Sequence, residues 1–394
     1  MPQDYHSLIT AMRGLFTDDA EQFIPLHAPA FKGKEKEYLN ECIDSTFVSS
    51  VGPFVDRIER DVAQYTGSRY AIACVNGTAA LHIALLLSGV QPGDLVITQS
   101  LSFVATANAI RYAGADPIFL DIDPSNLALS APALQAFLEE ECSVNLRKEC
   151  VHTASGRRVR AVVPMHSFGF CADALALKQI ADSYGLALIE DAAESLGSFI
   201  GDQHSGTLGT FGTLSFNGNK TITAGGGGII LTQDEELAKK AKHLTTQAKQ
   251  PHAWKFYHDQ TAYNYRMPNL NAALLCAQLE QLPGFLGVKR QLANAYAALV
   301  EQHNSTQKEP IEFLLEPQGQ TSNYWLCCML MPNLEARDGF LEQANARGFM
   351  SRPAWELLHT LPMFKRCLVP AALIHSQSTY ERLVNIPSSP YHLA

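Results

Sequence analysis

The stretch Gly212-Thr213-Leu214-Ser215-Phe216-Asn217-Gly218-Asn219-Lys220 decides the fold. Its first half is a run of β-formers. Its second half is a polar turn that ends on a lysine, and four glycines, Gly225 to Gly228, follow before the next apolar run. Upstream, Leu188-Ile189-Glu190-Asp191-Ala192-Ala193-Glu194-Ser195 has the same form, an apolar run that stops on a carboxylate. Short apolar runs bounded by turn residues read as buried strands. An amine and a carboxylate therefore stand at two strand ends of one sheet.

Seven such runs recur, at 71–75, 95–99, 117–121, 160–165, 187–190, 213–216 and 229–232. Helical patterns separate the first five. Residues 78–87 are apolar nearly all round, as in a helix buried against a sheet. Residues 105–112, 131–140 and 174–184 show spacings of three and four. This alternation predicts an α/β fold, with one mostly parallel sheet of about seven strands, mixed at one edge and flanked by helices on both faces. From Asn269 the pattern changes. Helices are expected over 271–282 and 289–302, split at Pro283-Gly284, then a strand-like piece at 324–330 and a helix near 337–347. The chain thus divides into a large domain, 1–268, and a smaller α+β domain, 269–394. Residues 141–158 break the rhythm with Arg147, Lys148, Arg157 and Arg158. They read as a solvated excursion or, alternatively, as basic residues that reach a substrate phosphate.

Bulk properties narrow the class. A chain of 394 residues exceeds one modest core, and 46% hydrophobic with 18% charged residues is ordinary for a compact enzyme. A net charge of −9 without a long Lys/Arg block argues against nucleic acid or an anionic membrane as partner. The nine cysteines are scattered without a CxxC pair, so neither a metal site nor a disulfide framework is expected. No leader pattern opens the chain, and no apolar run reaches the roughly 20 residues of a membrane span. A cytoplasmic enzyme fits these features.

Lys220 and Asp191 are what pyridoxal phosphate requires: an amine to form a Schiff base with the aldehyde, and a carboxylate to keep the pyridine nitrogen protonated. Cys74-Val75-Asn76-Gly77-Thr78-Ala79-Ala80 is a strand end, a glycine turn and a helix start, where free N–H groups and the helix dipole favour a phosphate dianion. Taken alone, that motif is equally a turn and cap. Ser215 offers a second hydroxyl. Phe103, after the second strand, is placed either to stack on a pyridine ring or to fill the core. Glu194 is either the N3 member of a capping box or faces the ring oxygen or the reacting imine. Gly225–Gly228 precede a strand rather than a helix, which excludes a dinucleotide fingerprint.

Together these segments resemble the DegT/StrS family of sugar aminotransferases, a branch of the fold-type-I pyridoxal phosphate enzymes. The resemblance is carried by Gly77-Thr78-Ala79-Ala80-Leu81, Phe103-Val104-Ala105-Thr106-Ala107-Asn108, Glu190-Asp191-Ala192-Ala193-Glu194, the run from Ser215 to Lys220, and Tyr263-Asn264-Tyr265-Arg266-Met267. It implies Lys220 as the Schiff-base lysine, Asp191 as the partner of the ring nitrogen and Phe103 as the stacking aromatic. It also implies Thr78, Ala79 and Ser215 around the phosphate, which Gly77 lets the backbone approach closely, and Asn264 reaching that phosphate from a neighbouring subunit, so that a homodimer is the working unit. Glu194 where many members carry glutamine, the turn Asn217-Gly218-Asn219 and the tail from Arg352 to Phe364 are similar to the subgroup that acts on UDP-linked 4-keto-6-deoxy-N-acetylhexosamines in legionaminic-acid-type pathways.

What the resemblance implies is transfer of an amino group from L-glutamate to a nucleotide-linked 4-keto-6-deoxy sugar of surface polysaccharide synthesis. It releases 2-oxoglutarate and passes through pyridoxamine phosphate. The stretch Phe47-Val48-Ser49-Ser50-Val51-Gly52-Pro53-Phe54 resembles the family's sugar-contact segment, with Phe47 and Ser49 as candidates beside Tyr324 and His359; by its residues alone it reads as a helix end and a turn. A sugar dehydratase on the same fold would carry histidine at the lysine's place. A non-catalytic regulator would not need Lys220, Asp191 and Ser215 together. An amino-acid transaminase would use an arginine fork, of which Arg266 is a possible half.

Overall fold

A computed structural model describes residues 4–390. The seven expected runs form one sheet. Its strands are β1 (Tyr70–Cys74), β2 (Leu95–Gln99), β3 (Asp116–Leu120), β4 (Val159–Val163), β5 (Ala187–Asp191), β6 (Phe211–Ser215) and β7 (Gly228–Thr232), in the order β1-β7-β6-β5-β4-β2-β3. All are parallel except β7, which runs antiparallel to both β1 and β6. The mixed part is therefore one strand in from the edge.

The strands are buried and mostly apolar because both faces are covered. In β1, Ala71 and Ala73 pack on one face while Ile72 and Cys74 pack on the other. In β7, Ile229 and Leu231 are divided from Ile230 in the same way. On the second face lie α1 (Gly77–Leu87) and α2 (Val104–Tyr112), while α3 (Ala174–Ser183) packs on the first face, farther along the sheet. The first face is covered by the helices Glu35–Asp44 and Pro53–Thr66 and by the start of α4 (Asn269–Asn304).

One expectation about local structure is corrected, and of the two readings of residues 141–158 the exposed hairpin supports the solvated excursion. The helix α4 is continuous through Pro283 rather than split there. A proline in a helix interior costs roughly 3 kcal/mol. Burial on both sides of it offsets that cost: Leu282 and Phe285 pack against the sheet-side core, and Leu292, Ala293, Tyr296 and Val300 pack into a second core. Residues 141–158 form a hairpin, Cys142–Val144 with Cys150–His152. Arg157 and Arg158 do not reach the strands' carboxyl ends. Arg157 donates to the carbonyls of Gly93 and Asp94 and pairs with Asp116, and Arg158 pairs with Asp94. Those partners stand where β2 and β3 begin, at the opposite edge of the sheet.

The second core lies under a four-stranded antiparallel sheet of β8 (Glu312–Phe313), β9 (Cys327–Leu330), β10 (Arg352–Pro353) and β11 (Leu383–Ile386), in the order β8-β9-β11-β10. The first residues also join this core, through Tyr5, Leu8, Ile9, Met12 and Ile24. Among the described residues no helix is long and apolar enough to cross a membrane.

Candidate active site

The carboxyl ends of β1, β2, β5 and β6 open onto one cavity of about 330 Å³. In an open parallel sheet the loops after the strands diverge at this edge and leave room for a ligand. Five sequence-derived candidates converge there from four different loops: Gly77 and Thr78 after β1, Phe103 after β2, Asp191 at the end of β5, and Ser215 at the end of β6. Lys220 enters from the loop after β6, and Glu194 from the loop after β5.

The phosphate-sized end is built by close approach. Asn76 caps α1 by accepting from the Ala79 N–H at 2.8 Å, which leaves the N–H groups of Gly77 and Thr78 facing outward from the helix end. A Cβ on Gly77 would lie 2.9 Å from the Ser215 Cβ, so the glycine lets the helix start meet the end of β6. A Cβ on Gly228 would meet the Asn76 backbone at 2.4 Å. Two glycines thus compress two strand ends into an anion cradle of backbone donors and hydroxyls. Ala79 is not part of it: its N–H is taken by the cap and its side chain is buried in the helix.

Asp191 is buried, accepting from the Thr106 hydroxyl at 2.7 Å and from the Ala193 N–H at 3.2 Å. Burial pushes its carboxyl up, against the pull of those donors and of Lys220. A cationic ring nitrogen at this carboxylate would complete the set. Next to it, Glu190 turns the other way. It accepts from His166 Nε2 and from the N–H groups of Gly206, Leu208 and Gly209. Burial works against its ionisation, yet His166 and the backbone donors hold its carboxyl below the ordinary range. The alternation of a strand separates the two roles: one carboxylate anchors a loop and the other faces the cavity.

Phe103 is 44% exposed and lines the cavity, so it is not a core residue. Lys220 Nζ lies 3.1 Å from Glu194 Oε1 and 4.2 Å from the centre of the Trp325 ring. The capping-box reading of Glu194 fails because turns rather than a helix follow β5; instead its Oε2 accepts from the Phe168 N–H.

Five further candidates stand outside the cavity of this chain. Tyr324 is buried, with its hydroxyl near the Glu316 N–H. Its backbone has φ 46°, and it is the next residue, Trp325, that faces the cavity, with its Nε1 donating to the Asn219 carbonyl. His359 pairs with Ser100 Oγ at 2.7 Å, tying the tail to the loop that carries Phe103. Phe47 and Ser49 are exposed, and their carbonyls accept from Asn269. Asn264 is exposed, and its side chain accepts from Arg266, which also donates to Gln247. Residues that sequence reasoning missed are Trp325, Trp355, Met165 and Asn76 in the wall, and Thr106 behind Asp191. Thr106 lay within a quoted motif, one turn after Phe103, and could have been found there.

A lysine, a buried carboxylate, an open aromatic face and a helix-end anion cradle on a seven-stranded sheet of this order define a pyridoxal phosphate-dependent aminotransferase of fold type I. The chain belongs to the DegT/DnrJ/EryC1/StrS aminotransferase family, whose model matches residues 29–392. It is 33% identical over 369 residues to the GDP-perosamine synthase of Escherichia coli O157:H7, covering 94% of each chain. It is 35% identical over 342 residues to the GDP-perosamine synthase of Caulobacter vibrioides, covering 86% of each. Among solved structures, a DegT DnrJ EryC1 StrS aminotransferase from Brucella abortus superposes with a TM-score of 0.80 at 26% identity, covering 91% of each chain. The cofactor of this sugar aminotransferase family is pyridoxal phosphate, which alternates with its pyridoxamine form.

Proposed function

We propose that the chain transfers the amino group of L-glutamate to a nucleotide-linked 4-keto-6-deoxy sugar, an N-acetylhexosamine of the legionaminic-acid type, yielding a 4-amino sugar for surface polysaccharide. The convergence of Lys220, Asp191, Phe103 and the Gly77–Thr78–Ser215 cradle on one cavity carries the chemical part of this reading. Synthases of a nucleotide-linked amino sugar among its relatives support the substrate class.

Bound in this cavity, pyridoxal phosphate supplies an aldehyde to carry the amino group and an electron sink for the bond that loses its proton. The cradle holds the phosphate dianion with backbone N–H groups, the Thr78 and Ser215 hydroxyls and the α1 dipole. Asp191, oriented by Thr106, keeps a proton on the ring nitrogen. Phe103 would cover one face of the ring. Lys220 Nζ would take and hold the proton from the α-carbon of glutamate. Trp325 and Trp355, from the C-terminal part, line the cavity and would limit water there.

The working unit in this reading is a cytoplasmic homodimer, with residues 1–268 holding the cofactor and residues 269–394 closing over it. Asn264, Phe47 and Ser49 then serve the neighbouring subunit's cavity, which agrees with their exposure and their absence from the wall of their own. Phe47, Val48, Val51, Trp254, Phe256 and Tyr257 form apolar surface for such a contact.

The test is a panel of UDP-, dTDP- and GDP-linked 3-keto- and 4-keto-6-deoxy sugars with L-glutamate, read by product mass. Turnover is expected with UDP-linked 4-keto N-acetylhexosamine. Preference for a GDP-linked sugar would move the chain to the perosamine type, and turnover of 2-oxo acids alone would refute a sugar substrate.

A further inference from the structure

The Lys220–Glu194 pair bears on how the site handles protons, an inference that rests on the aminotransferase reading and not on the choice of sugar. The two side chains are 11% and 1% exposed, with Nζ and Oε1 3.1 Å apart. The second carboxylate oxygen is pinned, since Glu194 Oε2 accepts from the Phe168 N–H at 2.9 Å. Phe168 has φ 58°, a left-handed conformation that bulky residues rarely adopt, and its ring stacks on Trp355 at 4.5 Å and 16°. Backbone held in such a region persists where its surroundings over-determine it, and it concentrates at functional sites. Here the strained turn aims one N–H at Oε2 and leaves Oε1 for the lysine.

Among the described residues, the other ionisable groups in electrostatic reach of Glu194 are the Asp191 carboxyl on β5 and the Cys328 thiol on β9, neither of them a cation. Burial pushes the Glu194 carboxyl up to about 7, with Lys220 and the Phe168 N–H pulling it down. A buried carboxylate beside one ammonium can exist as an ion pair or, after one proton moves, as a neutral acid with a neutral amine.

We propose that Glu194 is the proton acceptor for Lys220, taking a proton from the ammonium so that a neutral amine is available to abstract the proton of the substrate. One N–H bond breaks and one O–H bond forms, an ion pair becomes a neutral pair, and no electrons are exchanged. The proton returns by the reverse step when the lysine has given up the one it carried. A glutamine at this position can hydrogen-bond to the lysine but cannot take its proton.

Glu194→Gln keeps the shape and tests the proton. In the cofactor-free chain, the pH profile for labelling Lys220 with an amine-directed reagent should move to lower pH, because the ammonium loses its counter-charge. In the cofactor-loaded protein, the single-turnover rate with L-glutamate should rise with pH through about 7 in the wild type. In the variant that acid limb should vanish, the plateau should fall about 10²-fold, and α-deuterated glutamate should show a larger isotope effect at unchanged KM. An unmoved labelling profile, or a variant that keeps the wild-type limb and rate, overturns the proposal. So does a variant that fails to retain cofactor, which would assign Glu194 to holding the ring. If the wild-type chain is itself inert toward L-glutamate, the donor named above is wrong, and the labelling profile alone decides the question.

Discussion

Lys220 and Asp191 sit within one cavity although they come from different strands, and each has a support of its own. Lys220 is held between Glu194 and the Trp325 face, and Asp191 is oriented by Thr106. Lys220→Ala should abolish the visible band of the bound cofactor and lower turnover by at least ~10²-fold, which absorbance and steady-state assay measure; rapid turnover by this variant would remove the lysine from proton transfer. A second residue-level expectation concerns stability. His204 is fully buried with both ring nitrogens engaged, Nδ1 donating to the Ser205 carbonyl and Nε2 accepting from the Gly197 N–H. Burial lowers its pKa from 6.5 to about 4. The unfolded chain therefore binds this proton first, so the contribution is complete above pH 6.5 and is lost as pH falls toward 4. The loss amounts to about 3 kcal/mol once both states are protonated. Urea melts across this range should show the decline in the wild type and less of it in His204→Gln; equal slopes in the two proteins would rule His204 out as its source.

The elements explain why the cradle is sensitive to small changes. The end of β6, the start of β7 and the start of α1 meet where Gly77 and Gly228 leave no room for a Cβ. Gly228→Ala places a methyl 2.4 Å from the Asn76 backbone, and backbone cannot swing aside as a flexible side chain does. The cost should be about 1–3 kcal/mol, with cofactor affinity reduced at least tenfold, as seen in a thermal melt and a fluorescence titration. A variant with native stability and affinity would show that the strand end relaxes freely. The strand-end candidates were legible because each motif is local: an apolar run, then the chemical residue within the turn that follows. Trp325 was not legible, because the positive φ at Tyr324 decides which of two adjacent aromatics faces the cavity. The continuity of α4 through Pro283 was hidden for a related reason. Local propensity favours a break, and burial in two cores that are distant along the chain outweighs it.

Across the whole molecule, the cavity is walled from both ends of the sequence. Phe103 and Lys220 lie in the sheet-bearing part, while Trp325 and Trp355 come from the part that carries the second sheet. Exposed Asn264 and Phe47 fit the proposed dimer, which subunit mixing can test. Lys220→Ala and Asn264→Ala homodimers should each be impaired. A mixed dimer has one intact cavity, with wild-type lysine from one subunit and wild-type asparagine from the other, so equal mixing should restore about a quarter of full activity. No gain on mixing would place Asn264 in the service of its own subunit or of none.

The sequence by itself determined the alternation of strands and helices, and hence the sheet, because buried parallel strands need continuous apolar runs. It also determined which residues stand at the carboxyl ends of those strands. The tertiary structure alone decided which candidates meet. It drew Trp325 and Trp355 to the lysine, set Thr106 behind Asp191, paired Glu194 with Lys220, and turned Arg157 and Arg158 to the far edge of the sheet. Contacts of this kind depend on strand order, on loop conformation and on burial shared between chain-distant elements, none of which a local pattern of residues encodes.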